Sequence, residues 1–256
     1  MLSEAEIATY HDKGYVVPDY RLPEETLARI RADHDVLLAK HPEFRDNCSA
    51  LLHHDLGFLN YARNPDILDM VEQLIGPDIC LWNMSFFAKP AHNGKKTPYH
   101  QDGEYWPIQP LATCTVWIAI DEATQENGCL KYIPGSHKDH KLMAHEVKPD
   151  ADYTLDRELA KSEYDEGIAE SLILPAGGMA FHDVYIAHGS EENRSAKPRR
   201  GMTLRLMPTT SVYDRGLARR RHGERGGNDM SHHSIFLLRG RDVSGENDFC
   251  VRQAMA

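Results

Sequence analysis

The chain has 256 residues, of which 41% are hydrophobic, and a formal net charge of −10. That charge excludes a general binder of nucleic acid or of anionic membrane surfaces, and no run approaches the roughly 20 apolar residues of a membrane span. Five scattered cysteines with no Cys-x-x-Cys pair disfavour a disulfide framework and a structural zinc site, and the acidic N-terminus does not read as a leader, so a cytoplasmic protein with reduced thiols is expected.

Ser3-Glu4-Ala5-Glu6 has capping-box spacing and predicts a short helix to about residue 13, which Gly14 ends before a strand at 15–17. Pro23 suits the first turn of a second helix over about 24–40, with Leu27, Ile30, Val36, Leu37 and Leu38 on its apolar side. A third helix, about 66–75, follows Asn64-Pro65 and stops at Gly76. Strand patterns then take over, at 79–89 and 113–120. Asn127-Gly128 before Cys129 predicts a hairpin. Residues 172–174 and 179–182 flank a Pro-Ala-Gly-Gly turn, and 185–188 and 202–207 complete the set. The charged stretch 141–170, with some helical character, reads as an insertion or lid. Many short strands behind a helical front predict a mainly β protein with flanking helices and a double-stranded β-helix core, a cupin-like jelly roll. One domain over 1–256 is expected: a helical part to about 76, the core at about 78–210, and a C-terminal basic loop and tail at 211–256.

The chemistry centres on Thr97-Pro98-Tyr99-His100-Gln101-Asp102. Residues two apart on an extended strand project from one face, so His100 and Asp102 could both reach one metal ion. His188, in Tyr185-Ile186-Ala187-His188-Gly189-Ser190, is the candidate third ligand. Two histidines and a carboxylate on one side of a metal, with the other positions open, form the facial triad of non-haem iron(II) oxygenases. His182-Asp183 is a weaker pair, because adjacent strand residues face opposite ways.

The order of motifs resembles the phytanoyl-CoA dioxygenase family, from about residue 14 to 208. The motifs are the His100-x-Asp102 stretch, Trp117 in a strand, Glu126-Asn127-Gly128, Pro134-Gly135-Ser136-His137, Pro175-Ala176-Gly177-Gly178, and His188-Gly189-Ser190 leading to Pro198-Arg199-Arg200. The resemblance implies a jelly-roll dioxygenase that uses Fe(II), 2-oxoglutarate as cosubstrate, and O2, with metal ligands His100, Asp102 and His188. It implies Arg199, eleven residues beyond His188, as the cation for the distal carboxylate of 2-oxoglutarate; the adjacent Arg200 is the alternative. Ser190, Gln101 and Trp117 match positions that line the family's cofactor pocket. Tyr105 and Trp106 are candidate aromatic walls for the substrate. Arg219 and Arg221, in the run Arg215 to Arg225, are candidate contacts for an anionic one.

The expected activity is hydroxylation of an unactivated C–H bond in a small, anionic metabolite, with release of succinate and CO2. Asp102 disfavours halogenation, since halogenating relatives lose that carboxylate, whereas desaturation and ring formation would use the same ligands. Two other classes remain in view: an inactive metal- and 2-oxo-acid-binding jelly roll, and a zinc hydrolase, since zinc accepts the same ligands. The latter leaves Arg199 unexplained. A small-molecule substrate, with no nucleic-acid or membrane partner, is expected; oligomeric state is left open.

Overall fold

The computed structural model describes residues 1–226 and 229–252, so the parts of the expected tail at 227–228 and 253–256 lie outside the described residues. Ser3 accepts from the Glu6 amide while the Glu6 carboxylate accepts from the Ser3 amide, and this reciprocal cap starts α1 (Glu4–Lys13). Gly14 ends the helix at φ +85°, a left-handed conformation suited to glycine, and the chain enters β1 (Tyr15–Val16). In α2 (Glu24–Lys40) the buried row is Leu27, Ile30, His34 and Leu37, spaced as one helical face. Val36 belonged to the predicted apolar side, but it stands off this row and is 52% exposed. His34 takes the place instead, stacked on Phe86, and burial pushes its imidazole down to about 4. Then come β2 (Asn47–Cys48), the short helices α3 (Leu51–His54) and α4 (Leu59–Ala62), and α5 (Pro65–Ile75), capped by the Asn64 side chain.

The remaining chain is mostly strand: β3 (Ile79–Lys89), β4 (Thr97–His100), β5 (Ile108–Gln109), β6 (Cys114–Ala119), β7 (Leu130–Tyr132), β8 (His145–Val147), β9 (Arg157–Leu159), β10 (Glu170–Ser171), β11 (Met179–Asp183), β12 (His188–Ser190), β13 (Arg199–Pro208), β14 (Val212–Tyr213), then α6 (Arg215–Arg225) and β15 (Phe236–Arg239). Antiparallel pairing gives a large sheet, β1-β11-β6-β13-β3-β15 with β2 also on β3, and a smaller one, β10-β7-β12-β4. This is the jelly roll that the strand pattern predicts.

The two faces of the large sheet differ in chemistry. Met202, Leu204 and Leu206 of β13, Val116 and Ile118 of β6, and Phe181 of β11 pack with Leu27, Ile30 and Ile67 of the helices in one core. Because alternate strand residues point opposite ways, Arg199, Thr203 and Arg205 of β13, with Thr115 and Trp117 of β6, share the other face, inside the roll. All are buried. A sheet sealed by helices on one side and polar on the other provides the walls of a site.

Three local expectations are corrected. Asn127-Gly128 does turn the chain, with Gly128 at φ +78° and the Asn127 side chain bridging Thr124 and Glu122, but no hairpin with β6 follows. Instead β7 crosses to the small sheet and pairs with β12 and β10. The stretch 141–170 carries the β8–β9 hairpin and one 3-10 turn at Glu166–Ile168 in place of a longer helix. The arginine-rich segment is a helix, α6, and not a loop: Asp214 caps its first turn and Gly226 follows its end. No helix among the described residues is long and apolar enough to cross a membrane.

Candidate metal centre and its cavity

His100 ends β4 and His188 begins β12, and the two are direct cross-strand partners, so strand register alone brings them together. Their ring centroids lie 4.3 Å apart. The chain stays extended through Gln101, and Asp102 opens a 3-10 turn on the same side as His100. Among the described residues His100, Asp102 and His188 form the one cluster of three candidate ligands, with ligand atoms all within 4.8 Å of one another. Each histidine is set by a backbone carbonyl two residues back: Nδ1 of His100 lies 2.9 Å from the Pro98 oxygen, and Nδ1 of His188 lies 3.0 Å from that of Ile186. With Nδ1 donating, both Nε2 lone pairs are left for a metal.

The charges suit a divalent cation. Burial alone would push the Asp102 carboxyl up, but the surrounding His100, His182, His188 and Arg205 outweigh it and hold the group well below the usual carboxylate range, with His182 the histidine placed to donate to it. Burial, reinforced by His100, pushes the His188 imidazole well below its ordinary value. An ionised carboxylate beside a neutral imidazole is the state a metal ligand set requires.

His182, which the sequence offers only as half of a weaker pair with Asp183, has a role that sequence reasoning missed. Its Nε2 lies 3.3 Å from Asp102 Oδ2 and its Nδ1 lies 2.9 Å from the Tyr132 hydroxyl, so with Nε2 donating, Tyr132, His182 and Asp102 form one buried relay that fixes the carboxylate. Asp183 points to the opposite side, where it accepts from the Tyr185 amide, as strand alternation requires. The only cue was a histidine on the inward side of a strand. His182→Ala is therefore expected to weaken divalent metal binding by about 10- to 100-fold while leaving all three ligands in place. Calorimetry with Ni(II), a redox-inert stand-in, checks this.

At the other end of the inner face, Arg199 is 1% exposed. Its Nη atoms donate to the carbonyls of Gly128 (2.7 Å) and Phe87 (3.2 Å), its Nε has no partner, and its guanidinium lies 5.4 Å from the Trp117 ring centroid. A Cβ on Gly201 would fall 2.3 Å from Trp117, so glycine there lets the indole lie across β13. Among the described residues no carboxylate pairs with Arg199. Burial lowers its pKa to about 10. Ser190 Oγ is likewise buried and unpartnered. Lys89, the cross-strand partner of Arg199, is a second buried cation, whose ammonium bonds to the Lys95 carbonyl. Burial, reinforced by Arg199, pushes its pKa well below the ordinary value. A buried cation and a free hydroxyl fit the distal carboxylate of a dicarboxylic acid, just as the His-Asp-His cluster fits an iron ion. Arg200 faces outward, bidentate to Asp121 and reaching Asp35.

Other predicted residues divide between the cavity and elsewhere. Gln101 is buried but turned away: its amide donates to the carbonyls of Lys141 and Tyr185 and accepts from the Met143 amide, tying residues 141–143 to the segment before β12. Its expected place in the cofactor pocket is corrected by the same alternation that aims its two neighbours inward. A cavity of about 350 Å³ opens beside His100 and Asp102, lined by Tyr105, Trp106, Arg157, Arg205 and Arg221. Tyr105 and Trp106, the candidate substrate walls, both line it. Arg221 donates to the Trp106 carbonyl, and Arg225 pairs with Glu104. Arg219, in contrast, is exposed and does not line the cavity, because helical geometry puts Ala218, Arg221, His222 and Arg225 on the inward face.

The family described as Phytanoyl-CoA dioxygenase (PhyH) matches residues 1–201. The human "Phytanoyl-CoA dioxygenase, peroxisomal" is 30% identical over 166 residues, which cover 62% of this chain and 48% of that protein. The Danio rerio "Phytanoyl-CoA dioxygenase domain-containing protein 1" is 33% identical over 159 residues, 60% of this chain and 54% of that one. The chain thus spans about half the length of these relatives. Among solved structures, the apo form of the non-heme monooxygenase ThoJ superposes with a TM-score of 0.76 at 22% identity, covering 97% of this chain and 88% of that one. The non-heme alpha ketoglutarate dependent carbocyclase SnoK of nogalamycin biosynthesis gives 0.66 at 21%, covering 83% and 86%. At these identities the structural likeness speaks for the fold.

Proposed function

The chain belongs to the phytanoyl-CoA dioxygenase family, and from that premise we propose that it is an iron(II)- and 2-oxoglutarate-dependent dioxygenase that hydroxylates an unactivated C–H bond of a small, anionic metabolite. The observation that carries this reading is the coexistence, on the walls of one roll, of the His100-Asp102-His188 cluster and the buried Arg199, which has no carboxylate partner among the described residues. A hydrolytic zinc site explains the first and leaves the second idle.

His100, Asp102 and His188 would hold iron, and Arg199 with Ser190 would hold the distal carboxylate of 2-oxoglutarate. With O2, the bound iron and cosubstrate would supply an oxidant equal to an unactivated C–H bond, with succinate and CO2 as coproducts. The chain's own contribution is placement and dryness. His182 and Tyr132 keep the Asp102 carboxylate ionised and oriented. Tyr105 and Trp106 would confine the substrate beside the metal ligands, and α6 with residues 154–157, which line the same cavity, would shield it from bulk water. The five free thiols suit a cytoplasmic location.

Succinate formation measured with O2 consumption tests the reading. Purified protein supplied with Fe(II) and 2-oxoglutarate is expected to form succinate slowly without substrate, consuming one O2 per succinate. Product formation from an ester or amide panel with zinc, and none that depends on O2, would replace this reading with the hydrolytic one.

A further inference from the structure

The inner face of β13 carries a second buried guanidinium. Arg205 lies six residues beyond Arg199 on the same face, roughly 20 Å along the strand by its standard rise. It is 8% exposed, yet no group among the described residues accepts a hydrogen bond from it, and its Nε is buried and unpartnered. Aromatic rings hold it in place: the Trp106 centroid lies 5.0 Å from its guanidinium carbon, and those of Trp82 and Phe87 lie 5.7 Å away. A bulge in β3, where Arg205 pairs with Asn83 and Leu206 with Leu81, brings both Trp82 and Asn83 beside it. Thr115, its partner on β6, stands 3.5 Å from Asp102. Arg205 thus lines the cavity close to the metal ligands.

The charges around it are otherwise committed. Glu104 is shared by Arg157 (3.2 Å) and Arg225 (2.8 Å), and Arg221 donates to the Trp106 carbonyl. Asp102 is the carboxylate whose charge Arg205 feels most. A divalent ion held by Asp102 would draw on that same charge and leave Arg205 without an anion. A buried cation in this position is costly until an anion joins it. The planar fork, clamped by rings, presents parallel donors that match an oxyanion.

We propose that Arg205 anchors the substrate by an oxyanion, carboxylate or phosphonate, which places the rest of a small molecule along Tyr105 and Trp106 toward His100 and Asp102. What is done to that molecule rests on the oxygenase reading; the anion site does not. Arg205 acts on the substrate from the opposite end of β13 to the cosubstrate cation, so two anions are sorted by two arginines on one strand.

The test is calorimetry on Ni(II)-loaded protein, with metal-free protein run beside it, titrated in parallel with butyrate, propylphosphonate and, as the neutral control, butanol. Trp82 and Trp106 fluorescence is followed in the same samples. Wild type is expected to bind one of the anions saturably and butanol not at all, and the anion that binds identifies the group. Arg205→Gln is expected to weaken that binding at least 30-fold, and Arg205→Lys to restore part of it, since charge is kept and the fork is lost. Unaltered anion binding by Arg205→Gln, or no saturable binding of either anion by folded wild type, overturns the proposal. Circular dichroism and melting curves establish folding; should Arg205→Gln fail to fold, Arg205→Lys carries the comparison, with equal affinity to wild type counting against the forked site. Anion binding in a protein that shows no response to Fe(II) and 2-oxoglutarate would sink the oxygenase reading and leave this one standing.

Discussion

Asp102→Ala is expected to abolish the thermal stabilisation that a divalent metal gives the wild-type protein. The carboxylate is the only anionic member of the cluster, and it is held well below the usual carboxylate range, with His182 placed to donate to it, inside a buried site. Removing it leaves two imidazoles 4.3 Å apart with nothing to offset the charge of the ion. A ligand present at 1,000 times its Kd stabilises a fold by about 4 kcal/mol, which for a domain of this size is on the order of 8–16 °C in Tm. Wild type with Ni(II) should show a rise of that order, and Asp102→Ala close to none. A full rise in the variant would mean that the metal sits elsewhere. The metal-free variant should still fold, because helix packing against the outer face of the large sheet does not involve Asp102.

The second large effect is expected at Arg199. Truncating one partner of a buried, hydrogen-bonded charge pair costs about 2–5 kcal/mol, so Arg199→Gln should weaken 2-oxoglutarate binding to metal-loaded protein by at least about 30-fold. Arg200→Gln is the control. Arg200 is paired with Asp121 and Asp35 on the outer side of the strand, away from Arg199, so its replacement should leave 2-oxoglutarate affinity unchanged. Equal losses in both variants would show a general disturbance of β13, and a loss at Arg200 alone would move the cosubstrate to the other face. Isothermal titration with Ni(II)-loaded protein reads all three cases.

How much of this was legible in the sequence follows from how local each signal is. His100 and Asp102 lie two apart in an extended segment, so a single strand places them together and no tertiary knowledge is needed. The helices over α1, α2 and α5 were legible from caps and breakers that act within a turn. Features decided by partner strands were not. The Asn127-Gly128 dipeptide set the turn correctly but could not say that β7 would leave β6 for the other sheet. His182 faces Asp102 because β11 pairs with β6 in the register His182 to Thr115, and that register is fixed by side chains far away in the chain. Arg205 was hidden because a run such as Met202-Thr203-Leu204-Arg205-Leu206 reads as a core strand. The alternation was present nonetheless, with the apolar Met202, Leu204 and Leu206 at even positions and Arg199, Gly201, Thr203 and Arg205 at odd ones. In α6 the weight of arginine suggested a solvated loop, although arginine is a good helix former and the flanking Asp214 and Gly226 supply a start and a stop.

The central claim is that the buried cluster and the buried arginine serve one metal and one cosubstrate. Its most direct test is an anaerobic titration of metal-free protein with Fe(II) and 2-oxoglutarate, followed by visible absorption for the iron-to-oxo-acid charge-transfer band. The account predicts a saturable band in wild type, absent in His100→Ala and shifted to much higher 2-oxoglutarate concentration in Arg199→Gln. Fe(II) bound by wild type with no band at any 2-oxoglutarate concentration would contradict it.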